Sequence, residues 1–200
     1  MTKRILAVAL GILLLGPGVL RPEEDTGGQV LAFEVEWHKF DEAIVAAKAS
    51  GKHVMVDVYT DWCGWCKKLD KETYTDAAVM KVLSESYVSA KIKGDDPNRR
   101  LKVRAQPTTE NGRTLLQVLP TDQPQISELD FTRSQLRVTG FPSILFFASD
   151  GRMITKLSGF QKADAFAHIL NFIKDDLYEV MTYQDYLKSL EGATTPKEKS

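Results

Sequence analysis

Val54-Met55-Val56-Asp57-Val58-Tyr59-Thr60-Asp61-Trp62-Cys63-Gly64-Trp65-Cys66-Lys67-Lys68 reads as a buried strand, a short turn and a helix that opens on a cysteine. Val, Met and Tyr fill Val54 to Tyr59 with Asp57 as the one interruption, which suits a central strand covered on both faces. Thr60 and Asp61 carry turn and cap chemistry, and Lys67 to Glu72 is polar with Leu69 spaced for a helix. The only two cysteines of the chain, Cys63 and Cys66, therefore fall at a strand-to-helix junction. Unpaired N–H groups and the positive end of the helix dipole favour negative charge there, so a Cys63 thiolate is stabilised. Cys66, one turn inward, is placed to close on Cys63 and expel a bound partner as a thiol. Cys63 is the expected attacker and Cys66 the resolver.

Trp62-Cys63-Gly64-Trp65-Cys66-Lys67 resembles the active-site segment of the thioredoxin superfamily, Trp-Cys-Gly-x-Cys-Lys. The resemblance extends from about Val35 to Ile173, and Tyr59 to Val79 is similar to secreted thioredoxin-like domains of the DsbD C-terminal type. It implies that Asp57, six residues before Cys63, is the family's buried carboxylate assisting proton transfer at Cys66, and that Lys91 is its neighbour. It implies a cis Phe141-Pro142 bond facing Cys63, with the Phe141 backbone free to pair with a substrate strand, and Gly159 near the same face. Trp62, Gly64 and Trp65 join Phe141 as the expected substrate-contacting set.

The fold implied is α/β, a three-layer α/β/α sandwich with a mixed central sheet. The activity implied is thiol–disulfide exchange without a dissociable cofactor, between protein thiols or disulfides and an upstream electron donor or acceptor. Two departures stand out: Trp65 replaces the proline of ordinary thioredoxins, and the stretch from Cys66 to Pro142 is longer than in the simplest members.

Each residue also has a plainer reading. Asp57 can be a carboxylate satisfied by Lys91 alone, because an unpaired buried carboxylate is expensive. Pro142 can be a trans proline starting a strand. Trp62 is expected as a site wall, whereas Trp65 either meets partners or shields the sulfurs. For the whole chain the alternatives are a non-catalytic binding module and a dedicated thiol reductase in cytochrome c or copper-site maturation.

The 200 residues are 43% hydrophobic with 26 basic and 27 acidic side chains, which fits one globular domain, here expected as a monomer, and gives no support for nucleic-acid binding. Two cysteines cannot frame a disulfide scaffold. His38, His53 and His168 lack ligand-like spacing to them, and a two-cysteine zinc site would lack two protein ligands, so no metal is expected.

Along the chain, Thr2-Lys3-Arg4 followed by the apolar run from Ile5 and by Gly16-Pro17-Gly18 reads as an export signal over residues 1–18. Uncleaved, it would be a membrane anchor. Either outcome places the domain outside the cytoplasm, in a periplasm or similar space. Residues 19–28 form a linker, and the domain is expected over 29–191. Gln29 to Glu36 alternates as a first strand, Asp41 to Ser50 as a helix with Trp37 and Phe40 packed beneath it, and Cys63 to Thr73 as the active-site helix. Thr75-Asp76 caps a further helix before the strand Tyr87 to Lys93. Residues 98–125 read as an insertion beside the active-site face, broken by Pro107, Pro120 and Pro124, with a turn signal at Asn111-Gly112 and a short strand over Thr114 to Leu119. Such an insertion either governs partner choice or is a solvated excursion. Ile126 to Val138 reads as a short helix, Ile144 to Leu157 as a hairpin, Lys162 to Tyr178 and Thr182 to Leu190 as amphipathic helices, and 192–200 as a polar tail.

Overall fold

The structure is a computed structural model that describes residues 33–123 and 125–194. The export segment, the linker and the last residues of the tail lie outside the described residues. The chain opens with β1 (Trp37–Lys39), α1 (Phe40–Ser50), β2 (His53–Tyr59), α2 (Gly64–Glu72), α3 (Ala77–Ser86) and β3 (Tyr87–Lys93). Next come β4 (Arg100–Leu101), the hairpin β5 (Val103–Glu110) and β6 (Arg113–Pro120), β7 (Ile126–Ser127), α4 (Glu128–Asp130) and a π-helical turn (Phe131–Gln135). The chain then forms β8 (Ser143–Phe147), β9 (Met153–Ser158), α5 (Ala163–Lys174), a 3₁₀ turn (Leu177–Glu179) and α6 (Tyr183–Thr194).

Five strands make the central sheet in the order β1-β3-β2-β8-β9. The first three are parallel, and β8 and β9 are antiparallel additions. The alternation of β2 explains why it sits in the middle. Val54, Val56 and Val58 face one core with Phe40, Ile44, Leu145 and Phe147, whereas Met55 faces the other with Leu69, Val79, Phe146 and Phe166. A strand apolar on both faces must be covered on both, which gives the three layers. Fully burying a Leu or Phe of these clusters contributes about 1.5–3 kcal/mol each. Asp76 caps α3 as its sequence suggests, accepting from the N–H groups of Ala78 and Val79.

Five expectations are revised, four of them small. Residues 33–36 form no strand; the edge strand is Trp37–Lys39, because its ladder partners are Ser89 to Lys91. Trp37 lies on the α3 side of the sheet, edge-on to Tyr74, and Phe40, itself the first residue of α1, is buried in the α1-side core. Ile126 to Val138 is not one helix but a two-residue strand, a single α-turn and a π turn. The last helix runs to Thr194, into the stretch read as a polar tail.

The 98–125 insertion is the largest revision. It is not a solvated excursion, for Leu101, Val103 and Val118 are buried in the α1-side core, and its hairpin runs away from the cysteines. Asn111 (φ 48°) and Gly112 (φ 73°) supply the two left-handed residues of a hairpin turn whose twist suits the flanking strands. Val118 N–H donates to the Gly151 carbonyl at 2.9 Å. Gly151 lies in the β8–β9 turn, at the Val54 end of β2, whereas the cysteines follow Tyr59 at the other end. Gly151 has φ 85°, and a Cβ there would stand 2.0 Å from the Val118 carbonyl oxygen. Gly151→Ala is expected to lower stability by about 3 kcal/mol, from left-handed strain and loss of the hairpin's seat. Urea unfolding checks this, and a wild-type midpoint would show that the hairpin is not seated on that turn. No helix among the described residues is long and apolar enough to cross a membrane.

Candidate active site

The β2 strand ends at Tyr59, and the chain turns through Thr60 to reach Cys63, whose N–H donates to the Thr60 carbonyl at 3.2 Å. Cys63 is the N-cap of α2 rather than its first helical residue, and its Sγ accepts from the Cys66 N–H at 3.0 Å. That bond places the sulfur against the N–H groups that the helix leaves unpaired, where anionic sulfur gains most. The two cysteines are joined as a disulfide with Cα atoms 5.3 Å apart. Both are largely buried, Cys63 at 5% and Cys66 at 2% exposure, while the flanking Trp62 and Trp65 are 70% and 58% exposed. Both sulfurs are thus covered, and the two exposed indoles flank them along the chain as the aromatic walls of the site.

Trp62 makes the first wall. Its indole N–H donates to Asp95 Oδ2 at 3.0 Å, and its ring stands edge-on to Phe141, 5.7 Å away at 83°. The Phe141-Pro142 peptide is cis, Ser143 Oγ donates to the Gly140 carbonyl at 2.8 Å, and Gly159 N–H donates to the Pro142 carbonyl at 2.8 Å. The second wall is Trp65 against Phe160, 5.8 Å apart, with Lys68 Nζ 5.2 Å and 5.0 Å over their rings. Gly64 carries no side chain between the walls, and none of the described residues beyond its chain neighbours and own helix comes within 4 Å of where its Cβ would be.

Beneath the helix the parallel ladder puts Asp57 directly beside Lys91. Lys91 Nζ is 3.3 Å from Asp57 Oδ2, pairs closely with Asp70, and lies over the rings of Trp37 (4.7 Å), Tyr59 (5.2 Å) and Tyr74 (5.7 Å). Two carboxylates and three ring faces replace the water this ammonium gives up. Asp57 is fully buried, and the 3.3 Å approach lacks hydrogen-bond geometry, so among the described residues neither of its oxygens has a hydrogen-bond partner. Its pKa is pushed up to about 6: burial raises it most, Lys91 pulls it back, and the Asp70 charge raises it again.

Sequence reasoning missed Asp70, Asp95 and Phe160. Asp70 was discoverable, since Cys66 and Asp70 are four apart on one helix and share its inward side. Asp95 and Phe160 meet the tryptophans only through long-range packing. Among the described residues no group of three or more His, Cys, Asp or Glu is placed to hold a metal ion, and His53 instead approaches Asp176 at 3.0 Å.

Residues 40–174 match the family described as a thioredoxin-like domain. The chain belongs to the thioredoxin-like family. This thioredoxin-like chain is 31% identical over 137 residues to the thiol:disulfide interchange protein DsbD of Pseudoalteromonas atlantica, covering 67% of itself and 18% of that protein. It therefore spans less than a fifth of the length of that relative. Among solved structures, a thioredoxin from Thermus thermophilus superposes with a TM-score of 0.51 at 20% identity, covering 70% of this chain and 86% of that one. The oxidised DsbD C-terminal domain of Neisseria meningitidis gives 0.44 at 21% identity, covering 65% and 88%. The Thermus likeness establishes the fold: a mixed sheet between helical layers, as the sequence resemblance implied.

Proposed function

We propose that the chain is a thiol–disulfide oxidoreductase working on protein disulfides outside the cytoplasm. The observation that carries this reading is the Cys63 sulfur at the N-cap of α2, accepting from the Cys66 N–H and bonded to Cys66. In the reductive direction, the Cys63 thiolate attacks one sulfur of a client disulfide. The client S–S bond breaks, its other sulfur leaves as a thiolate, and a mixed disulfide remains. Cys66 passes its proton to Asp57 and attacks the Cys63 sulfur, which releases the client's second thiolate and closes the Cys63–Cys66 bond. The client gains two electrons, and an upstream protein dithiol must return them to this chain.

A carboxylate of pKa about 6 suits the middle step, being ionised enough at neutral pH to take a thiol proton and close enough to neutrality to give it up. Thiol–disulfide exchange as the reaction is supported by likeness to proteins named thiol:disulfide interchange protein DsbD. The location is supported by the basic-then-apolar pattern from Lys3 to Leu15. Electrons reside in the cysteine pair, with no dissociable cofactor.

The test is dithiothreitol-driven reduction of insulin by the full chain. Turnover above dithiothreitol alone supports the proposal, and none contradicts it. Equilibration with glutathione then fixes the direction on a scale running from about −270 mV for reductants to about −120 mV for oxidants. One observation, the low exposure of Cys63, favours the alternative of a non-catalytic binding module. That reading requires Cys63 to resist alkylation after reduction and partner binding to survive Cys63→Ser.

A further inference from the structure

Gly94 closes β3 with a backbone that any residue could adopt, so conformational freedom does not explain a glycine there. Space does. A Cβ on Gly94 would lie 2.6 Å from Phe141 Cε1, 3.0 Å from Phe141 Cζ and 3.0 Å from Val58 Cγ1. The Phe141 ring therefore occupies the notch left by the missing side chain. We propose that Gly94 is a positioning and specificity-determining residue for disulfide exchange, because the Phe141 ring seated over it sets where the Phe141-Pro142 loop and the Trp62 wall stand beside Cys63. This inference rests on the redox reading above and goes on to name what shapes the cleft for its client.

Neither side of the notch can yield easily. The Gly94 N–H donates to the Tyr59 carbonyl at 2.9 Å, which ties it to the end of β2 just before the active-site turn. Val58 beneath is fully buried among closely packed neighbours and blocks any inward movement of the ring. A ring pushed from the notch must move outward, toward Trp62, already edge-on at 5.7 Å. Trp62 is held in turn by Asp95, the residue that follows Gly94. Gly94, Phe141, Trp62 and Asp95 form a closed ring of contacts, so bulk added at position 94 is transmitted to an indole that is 70% exposed at the mouth of the cleft. In this proposal a seated ring keeps Trp62 in its present place beside Cys63, and a ring displaced toward Trp62 narrows the approach of a client side chain. Protein disulfides with bulky residues beside the cysteine are the clients this notch admits; a small disulfide needs little of the space.

Two probes separate the idea from simple destabilisation: insulin, a protein disulfide, and oxidised glutathione, a small one. In the full chain, Gly94→Ala is expected to lower kcat/KM for insulin about tenfold or more, chiefly through KM, and for oxidised glutathione by less than about threefold. Adding Phe141→Leu to Gly94→Ala removes the Cε1 and Cζ atoms that collide and is expected to raise kcat/KM for insulin at least about threefold above that of Gly94→Ala alone. Unchanged insulin kinetics in Gly94→Ala, an equal fall with both disulfides, or no rescue by Phe141→Leu would each overturn the inference while leaving the redox reading intact. If Gly94→Ala alone does not fold, the double variant decides: folded and active on insulin supports the notch, unfolded overturns it. A wild-type chain that exchanges with neither probe overturns the redox reading, and this inference with it.

Discussion

Cys63→Ser is expected to abolish insulin reduction, a fall of at least about a thousandfold, while the fold is kept. The serine hydroxyl can still cap α2 by accepting from the Cys66 N–H, the bond that Cys63 Sγ makes at 3.0 Å. What disappears is the one sulfur at the helix end. Cys66 cannot replace it, because it lies inside the first turn on the buried side of α2 rather than at the cap. The measurement is initial rate with dithiothreitol as donor, with circular dichroism to confirm the fold. Wild-type-like turnover would remove Cys63 from the mechanism and return the chain to the status of a scaffold.

Asp57→Asn is expected to stabilise the folded protein at pH 7 by about 3 kcal/mol and, in the same variant, to slow release of the mixed disulfide. The stability figure follows from the rise from 3.8 to about 6, roughly two pH units at about 1.4 kcal/mol each. Because the folded pKa is the higher one, the native state holds the Asp57 proton more tightly than the unfolded chain does. Stability from this group is therefore full below about pH 4 and is lost as pH rises through about 6. Asn mimics the protonated form at every pH, so its advantage should vanish near pH 4 and reach its plateau above pH 6. Urea unfolding of the oxidised protein at pH 4 and pH 7.5 measures the difference. A loss of stability at pH 7.5 would mean that the Lys91 ion pair outweighs the burial of the carboxylate. The rate effect requires Asp57 to accept the Cys66 proton, and unchanged release kinetics would reduce it to a structural acid.

The central strand, the cysteine pair and the Asp57–Lys91 neighbourhood were legible in the sequence because each leaves a local mark. Asp57 is a charge inside an apolar run, and Lys91 is a charge at the matching register of the next strand. The Asn111-Gly112 turn and the strand over Thr114 to Leu119 were legible, but the partner strand Val103 to Glu110 was not. Pro107 and Pro120 look like breakers, yet in a two-stranded ribbon a missing N–H on the unpaired side of a strand costs little. The buried Val103 and Val118 were the overlooked sign that this ribbon covers a core. The first strand was set too early because weak alternation before Trp37 says nothing about where β3 offers ladder partners. Gly94 under Phe141, Asp95 on Trp62 and Phe160 on Trp65 join residues far apart in the chain, and no periodicity foretells such meetings.

The most direct measurement is a trapping experiment on the reduced full chain carrying Cys66→Ser, mixed with insulin and quenched with acid. Attack by Cys63 with no resolver should leave a covalent adduct, visible by mass spectrometry as one whole insulin molecule bonded through Cys63 and released by dithiothreitol. If Cys63 stays a free thiol while the insulin disulfides remain intact, the sulfur at the end of α2 is not a nucleophile toward protein disulfides, and thiol–disulfide exchange at this site is contradicted.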